Sequence, residues 1–213
     1  MEQKKDGLSV KDLWVPLGLL LLTMAPALGG AVRIAELARG TAHARFSHSP
    51  MPVLIHIFPS LLYGALGAFQ FMGWFRRRHP LWHKRAGRVL VPCGYVAALS
   101  GLWMTWAYAI PEAMQGPLLK GTRSLVAVAM VGGLSLGMRA IAERDFGRHQ
   151  AWMIRAYALG MGAGTQALVL GPVAVLRGEP LGLTRDLLMT LSWLINVGVG
   201  EWVIRRPNKN PRP

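Results

Sequence analysis

Six stretches of the chain lack the polar positions that a water-facing helix needs on one side. They run about 13–32, 53–75, 89–109, 123–142, 152–176 and 187–204, and each is apolar around its whole circumference rather than along one stripe. A hydrocarbon layer about 30 Å thick takes roughly 20 helical residues to cross at 1.5 Å each. Transmembrane strands would alternate apolar with polar positions, and Leu17-Gly18-Leu19-Leu20-Leu21-Leu22 does not. The pattern predicts an all-α polytopic membrane protein: six transmembrane helices in one bundle, forming a single domain over 1–213. Between them lie short polar segments that contain Pro, Gly and nearly all the charge.

Charge sets the threading. The 213 residues carry 24 Lys and Arg against 10 Asp and Glu, a net +14, and basic residues collect on the cytoplasmic side of membrane proteins. One side receives Lys4, Lys5 and Lys11, the loop from Arg76 to Arg88, then Arg139, Arg144, Arg148 and Arg155, and finally Arg205, Arg206, Lys209 and Arg212. The other keeps only Arg33, Arg39, Arg45, Lys120, Arg123, Arg177 and Arg185. Both termini are therefore expected in the cytoplasm, with the basic loops against anionic lipid headgroups, where each Lys or Arg contributes about 1 kcal/mol. Trp14, Trp74, Trp82, Trp152 and Trp202 fall at the same inner boundary and Trp103 and Trp106 near the outer one, the levels that amphipathic rings favour. So read, the charge is a topology signal, and no nucleic-acid partner is expected. Lys4 and Lys5 followed by Leu17–Leu22 and Ala25-Pro26-Ala27 imitate a cleavable signal peptide, but the apolar run continues to Val32, long enough to span and be retained.

Chemistry is sparse. The single cysteine, Cys93, excludes an intramolecular disulfide framework. Gly133-xxx-Gly137 and Gly160-xxx-Gly164 supply small faces for close helix contact, within the bundle or with a second copy or membrane partner. Pro16, Pro26, Pro59, Pro92 and Pro172 predict kinks whose freed carbonyls need partners from neighbouring helices. Gly133-Leu134-Ser135-Leu136-Gly137 matches the G-x-S-x-G of hydrolases, but that motif needs a strand-to-helix elbow. An intramembrane serine protease would need a histidine from the sixth span as base, and 187–204 has none, while His149 lies about 21 Å of helix rise away. With no H-E-x-x-H, P-loop or dinucleotide fingerprint either, enzymatic activity is the least supported class.

The histidines divide by depth. His43, His48 and His56 belong to the outer side, with His56 about one turn into the second span; His79, His83 and His149 lie in the inner loops. Stacked haems would need axial histidines at matched depths on several helices, which spans three to six lack. Outside, His56 could pair with His43 or His48. Inside, His83 precedes the third span and His149 the fifth, so the two imidazoles could meet and hold a metal, haem b or a quinone headgroup. His79 reads as the cap of a helix starting at Pro80. Gln70, Gln166, Asn196 and Glu201 are polar groups in or at the edge of spans that need partners, and Glu201 is expected to pair with Arg139 or Arg155.

At these residues the chain takes on a familiar order. Gly67-Ala68-Phe69-Gln70-Phe71 is followed by Arg76-Arg77-Arg78-His79-Pro80-Leu81-Trp82-His83-Lys84-Arg85-Ala86-Gly87-Arg88, by Ser100-Gly101, and by Arg148-His149-Gln150-Ala151-Trp152-Met153-Ile154-Arg155-Ala156-Tyr157-Ala158-Leu159. This resembles a bacterial family of predicted membrane proteins of unknown function: Gln-Phe before an arginine loop, His near Gly-Arg, then His before Trp-Met-Ile-Arg. The likeness covers about His56 to Leu159 and departs from the pattern at Lys84 and Gln150, where arginine is expected. It implies a bacterial inner-membrane protein and marks His56, Gln70, His83, Arg88, His149, Trp152 and Arg155, without supplying a reaction. Three functions follow as expectations. The first is small-ligand binding or transport, or an accessory subunit, around Gln70, Arg155 and Glu201. The second is a redox protein holding one haem, metal or quinone through His83 and His149 or through His56. The third is a structural assembly protein. An alkaline phosphatase fused after Pro213 is expected to be inactive in a bacterial host; activity there reverses the threading.

Overall fold

The computed structural model describes residues 10–206. Lys4, Lys5, Lys209 and Arg212 of the charge pattern lie outside the described residues. Within them the chain forms α1 (Val10–Ala38), α2 (Ala44–His48), α3 (Met51–Gln70), α4 (Gly73–Arg78), α5 (Pro80–Ala107), α6 (Pro117–Ala142), α7 (Phe146–Gly160), α8 (Gly162–Arg177) and α9 (Gly182–Arg205), and no strand. Six helical segments are long and apolar enough to cross a membrane, α7 and α8 counting as one. All six expected spans are present, so the chain is a multi-pass helical membrane protein.

Their ends differ from the sequence reading in instructive ways. The second span stops at Gln70, not near Phe75, because Phe71 and Met72 leave the helix and the chain restarts as α4. The third span begins at Pro80, with His79 as its N-cap as expected, so His83 and Arg88 are helical rather than in a loop. Pro at the first helical position lacks only an amide that would have no partner there. The fifth span is not continuous: it breaks at Met161, between Gly160 and Gly162, whereas Pro172 stays inside α8. Two flanking glycines lower helix propensity more cheaply than any other pair short of proline.

The break changes which helices the chain touches. α7 packs against α6 and α9 and also reaches α3 and α5, whereas α8 packs chiefly on α1 and α9. α1, α3, α5, α6, α9 and α8 therefore form a ring, with α7 filling it at the α4 end and a void left near α2.

Small residues let the helices approach. Tyr63 on α3 sits against Gly94 of α5 and Gly160 of α7; Tyr157 on α7 sits against Gly67. The two rings lie 5.6 Å apart, and the Tyr157 hydroxyl donates to the Gly64 carbonyl at 2.6 Å. Gly133 meets Ala156, Gly137 meets Met153, and Gly164 lies against the backbone of Leu22, so the four glycines of the two small-residue motifs are engaged inside one chain. Facing outward instead are Trp14, Leu17, Leu21, Met24 and Leu28 of α1 and many large apolar side chains of α9, as lipid contact requires. A leucine at Gly160 must displace Tyr63. Gly160→Leu is expected to lower stability by about 1–3 kcal/mol, the cost of overpacking, read as an earlier melting transition in detergent.

Candidate functional site

The void in the ring is a cavity of about 490 Å³ that every transmembrane segment helps to line. α1 contributes Thr23 and Arg33, α3 His56 and Ser60, α5 Ala97 and Gly101, α6 Arg123 and Met130, α8 Gly164 and Gln166, and α9 Trp193. Arg45 and Phe46 of α2 and Tyr108 also line it, at the α2 end, while Leu159, Gly160 and Met161 at the helix break form its floor. Membrane-depth backbone that leaves a helix is tolerated where protein or a cavity receives it. Here α9 receives it. The Ala158 carbonyl accepts the Asn196 amide at 3.0 Å and the Leu159 carbonyl accepts the Trp193 indole N–H at 3.1 Å. Thr165 then donates to Asn196 Oδ1 at 2.7 Å.

His56 enters the cavity from α3 in a fixed tautomer. Its Nδ1 lies 3.0 Å from both the Ala97 carbonyl and the Ser100 hydroxyl oxygen. The Ser100 proton is already directed at Val96 O, 2.5 Å away. Both neighbours therefore act as acceptors, Nδ1 carries the hydrogen, and Nε2 keeps its lone pair. His56 does not pair with His43, the N-cap of α2, or with His48; α5 takes that place. One turn along, the Ser60 hydroxyl is buried without a hydrogen-bond partner among the described residues.

The opposite wall carries a network that the sequence did not disclose. Asp186 on α9, 1% exposed, accepts the Gly116 amide at 3.1 Å and the Leu119 amide at 3.0 Å. It caps the start of α6, where orphan N–H groups and the helix dipole favour a carboxylate. Arg123, two turns into α6, donates to the Gln115 side-chain oxygen, and Gln115 Nε2 donates to Thr105 O at 3.1 Å. Arg185, Asp186 and Arg45 lie within electrostatic reach of Arg123, but no carboxylate stands at ion-pair distance from Arg123 or Arg45 among the described residues. Arg33 is paired with Glu36. Burial, then the neighbouring Arg33, pulls the Arg45 guanidinium below its ordinary value. In the sequence Asp186 is one more polar residue in a polar helix start, Thr184-Arg185-Asp186, and its burial and amide partners leave no trace there.

The remaining candidates gather on the face carrying α4. Arg155 donates to Glu201 through Nε at 2.5 Å and through an Nη at 3.1 Å, a bidentate pair, as expected for one of the two arginines named. Arg139 instead pairs with Glu143 at 2.8 Å. The Arg155 guanidinium stacks over Trp152, 4.7 Å from the ring centre. Gln70 does not join this pair; its Nε2 is buried and has no hydrogen-bond partner among the described residues. Arg88 is exposed. α5 and α7 touch, and His83 lies within electrostatic reach of His149, Arg76 and Lys84. His149 donates through Nδ1 to the Gly137 carbonyl at 2.9 Å, while the His83 Nδ1 is buried without a hydrogen-bond partner among the described residues. Among the described residues no three His, Cys, Asp or Glu side chains converge as a metal site. Ser135 of the hydrolase-like motif donates to Val131 O and pairs with Tyr95.

A profile for predicted membrane proteins, DUF2306, matches residues 53–204. The chain belongs to the DUF2306 family. The match runs from the start of α3 almost to the end of α9, so it covers the cavity floor, His56, Arg123, Asp186 and the Arg155–Glu201 pair, and omits α1. No curated protein and no solved structure matches the chain. The family resemblance expected from the histidine and arginine motifs is thereby established, and DUF2306 carries no assigned activity. In this DUF2306 protein, Asp186→Asn leaves one α6 amide facing an N–H instead of an oxygen. It is expected to cost about 1–3 kcal/mol, the penalty of an unsatisfied buried donor, checked by thermal melting in detergent.

Proposed function

We propose that this DUF2306 protein binds a small amphipathic molecule in the cavity between α3, α5, α6 and α8, exchanging it with the leaflet on the α2 side. The observation that carries this is the position of the cavity at the break in the fifth span, where α7 packs on α6 and α9 and α8 on α1 and α9. Discontinuous helices are a recurring source of midplane binding sites in membrane proteins. The volume falls within the usual 300–1,000 Å³ of small-molecule sites, and mostly apolar walls with a few convergent polar groups (His56, Gln166 and Arg123) match their chemistry. With the basic α4 face in the cytoplasm of a bacterial cell, the mouth opens outward. Binding may be tested by native mass spectrometry of protein extracted in a mild detergent. Bound small amphiphile is expected in the wild type and lost in Ser60→Leu, which places a larger apolar group on the wall and removes a partnerless hydroxyl, so its melting temperature should not fall. A ligand-free wild type, or retention by Ser60→Leu, overturns the proposal.

A redox reading has one specific support: the His56 tautomer, with Nδ1 tied to backbone and Nε2 open, is the state of an imidazole that ligates haem iron or accepts a quinol proton. The spectrum decides. A Soret band abolished in His56→Ala places a haem there; a band abolished instead by His83→Ala or His149→Ala places it on the α4 face. A colourless protein removes the haem version.

A further inference from the structure

We infer that the molecule held in this cavity is a single-chain lipid anion, whose carboxylate or phosphate is taken by Arg123 and Arg45 and whose tail lies toward Met130 and the α7–α8 break. The inference rests on the cavity reading above and adds the charge of the occupant.

The charges around the cavity do not cancel. Arg33, Arg45, Arg123 and His56 line it, and among the described residues no carboxylate does. Glu36 answers Arg33. Glu179 answers Arg185, which stands next to Asp186. Among the described residues Asp186 is the acid within reach of Arg123, and both of its oxygens are engaged by amides at the start of α6. Arg45 is left against the Phe46 ring, 4.7 Å from its centre, with Arg33 over the same ring at 4.1 Å. Two guanidiniums within electrostatic reach of each other, in a partly desolvated wall, repel unless an anion stands between them. Arg123 offers further N–H groups beyond the one given to Gln115, in the planar fork that matches carboxylate and phosphate oxygens. Below them the wall turns apolar through Ile57, Ala127, Met130 and Leu159. A charged head over an oily pocket, entered from a leaflet, selects an amphiphile with the opposite charge. The volume suits one chain rather than the paired chains of a bilayer lipid.

The test uses the purified full chain in nanodiscs of phosphatidylcholine, titrated with dodecanoate, dodecyl phosphate, dodecanol and dodecylamine and read by the shift in melting temperature. At least one of the two anions is expected to bind about tenfold tighter than the alcohol, the size of one charge-assisted hydrogen bond, and comparison of the two tells carboxylate from phosphate. Arg123→Gln should bring the anion down to the alcohol's affinity while the alcohol still binds; Arg45→Gln serves if that variant does not fold, with the same loss expected. Equal affinity for anion and alcohol, preference for the amine, or discrimination that survives the substitution overturns the inference and leaves the cavity reading standing. If none of the four shifts the melting temperature, both fall.

Discussion

Inside a hydrocarbon layer a backbone amide or carbonyl has no water to turn to, so each departure from a regular helix must be answered by another part of the protein. The answers in this chain come mostly from α9. Asp186 takes the free amides at the start of α6, while Asn196 and Trp193 take the carbonyls of Ala158 and Leu159 beside the break. α9 is thus the element that lets two other helices stop or bend at depth. The void beside His56 exists because those irregularities are paid for.

Packing follows from the same environment. Lipid offers no hydrophobic push between helices, so contact depends on shape. The bundle meets that need with aromatic knobs in glycine hollows: Tyr63 between Gly94 and Gly160, Tyr157 over Gly67. These contacts lie between the cavity floor and the α4 face. Beyond them, toward that face, the side chains become charged or aromatic, with Arg155 bound to Glu201 and stacked on Trp152. One end of the molecule is therefore filled and tied, and the other is hollow.

The number of spans and their approximate places were legible because composition alone separates lipid-soluble helices from loops. The Arg155–Glu201 pair was legible too, since a carboxylate near the end of a span has few ways to be satisfied. Gln70 was grouped with that pair by depth alone and makes no hydrogen bond to it among the described residues, because depth along a helix says nothing about which face a side chain takes. The break at Met161 was hidden by the proline in the same span, which draws attention to residue 172 although Gly160 and Gly162 yield first. Asp186 escaped notice because its partners are backbone amides of another helix, and amides leave no mark in a sequence. The cavity itself depended on both of these.

The family match begins at residue 53, yet Thr23, Pro26, Gly29, Gly30 and Arg33 of α1 close one side of the hollow. The floor thus lies within the matched part of the chain and this wall outside it. A relative that kept the floor but carried a different leading helix would present a reshaped vestibule to the same imidazole. Under the ligand reading proposed above, selectivity is then set in part by a partition that the family match does not include.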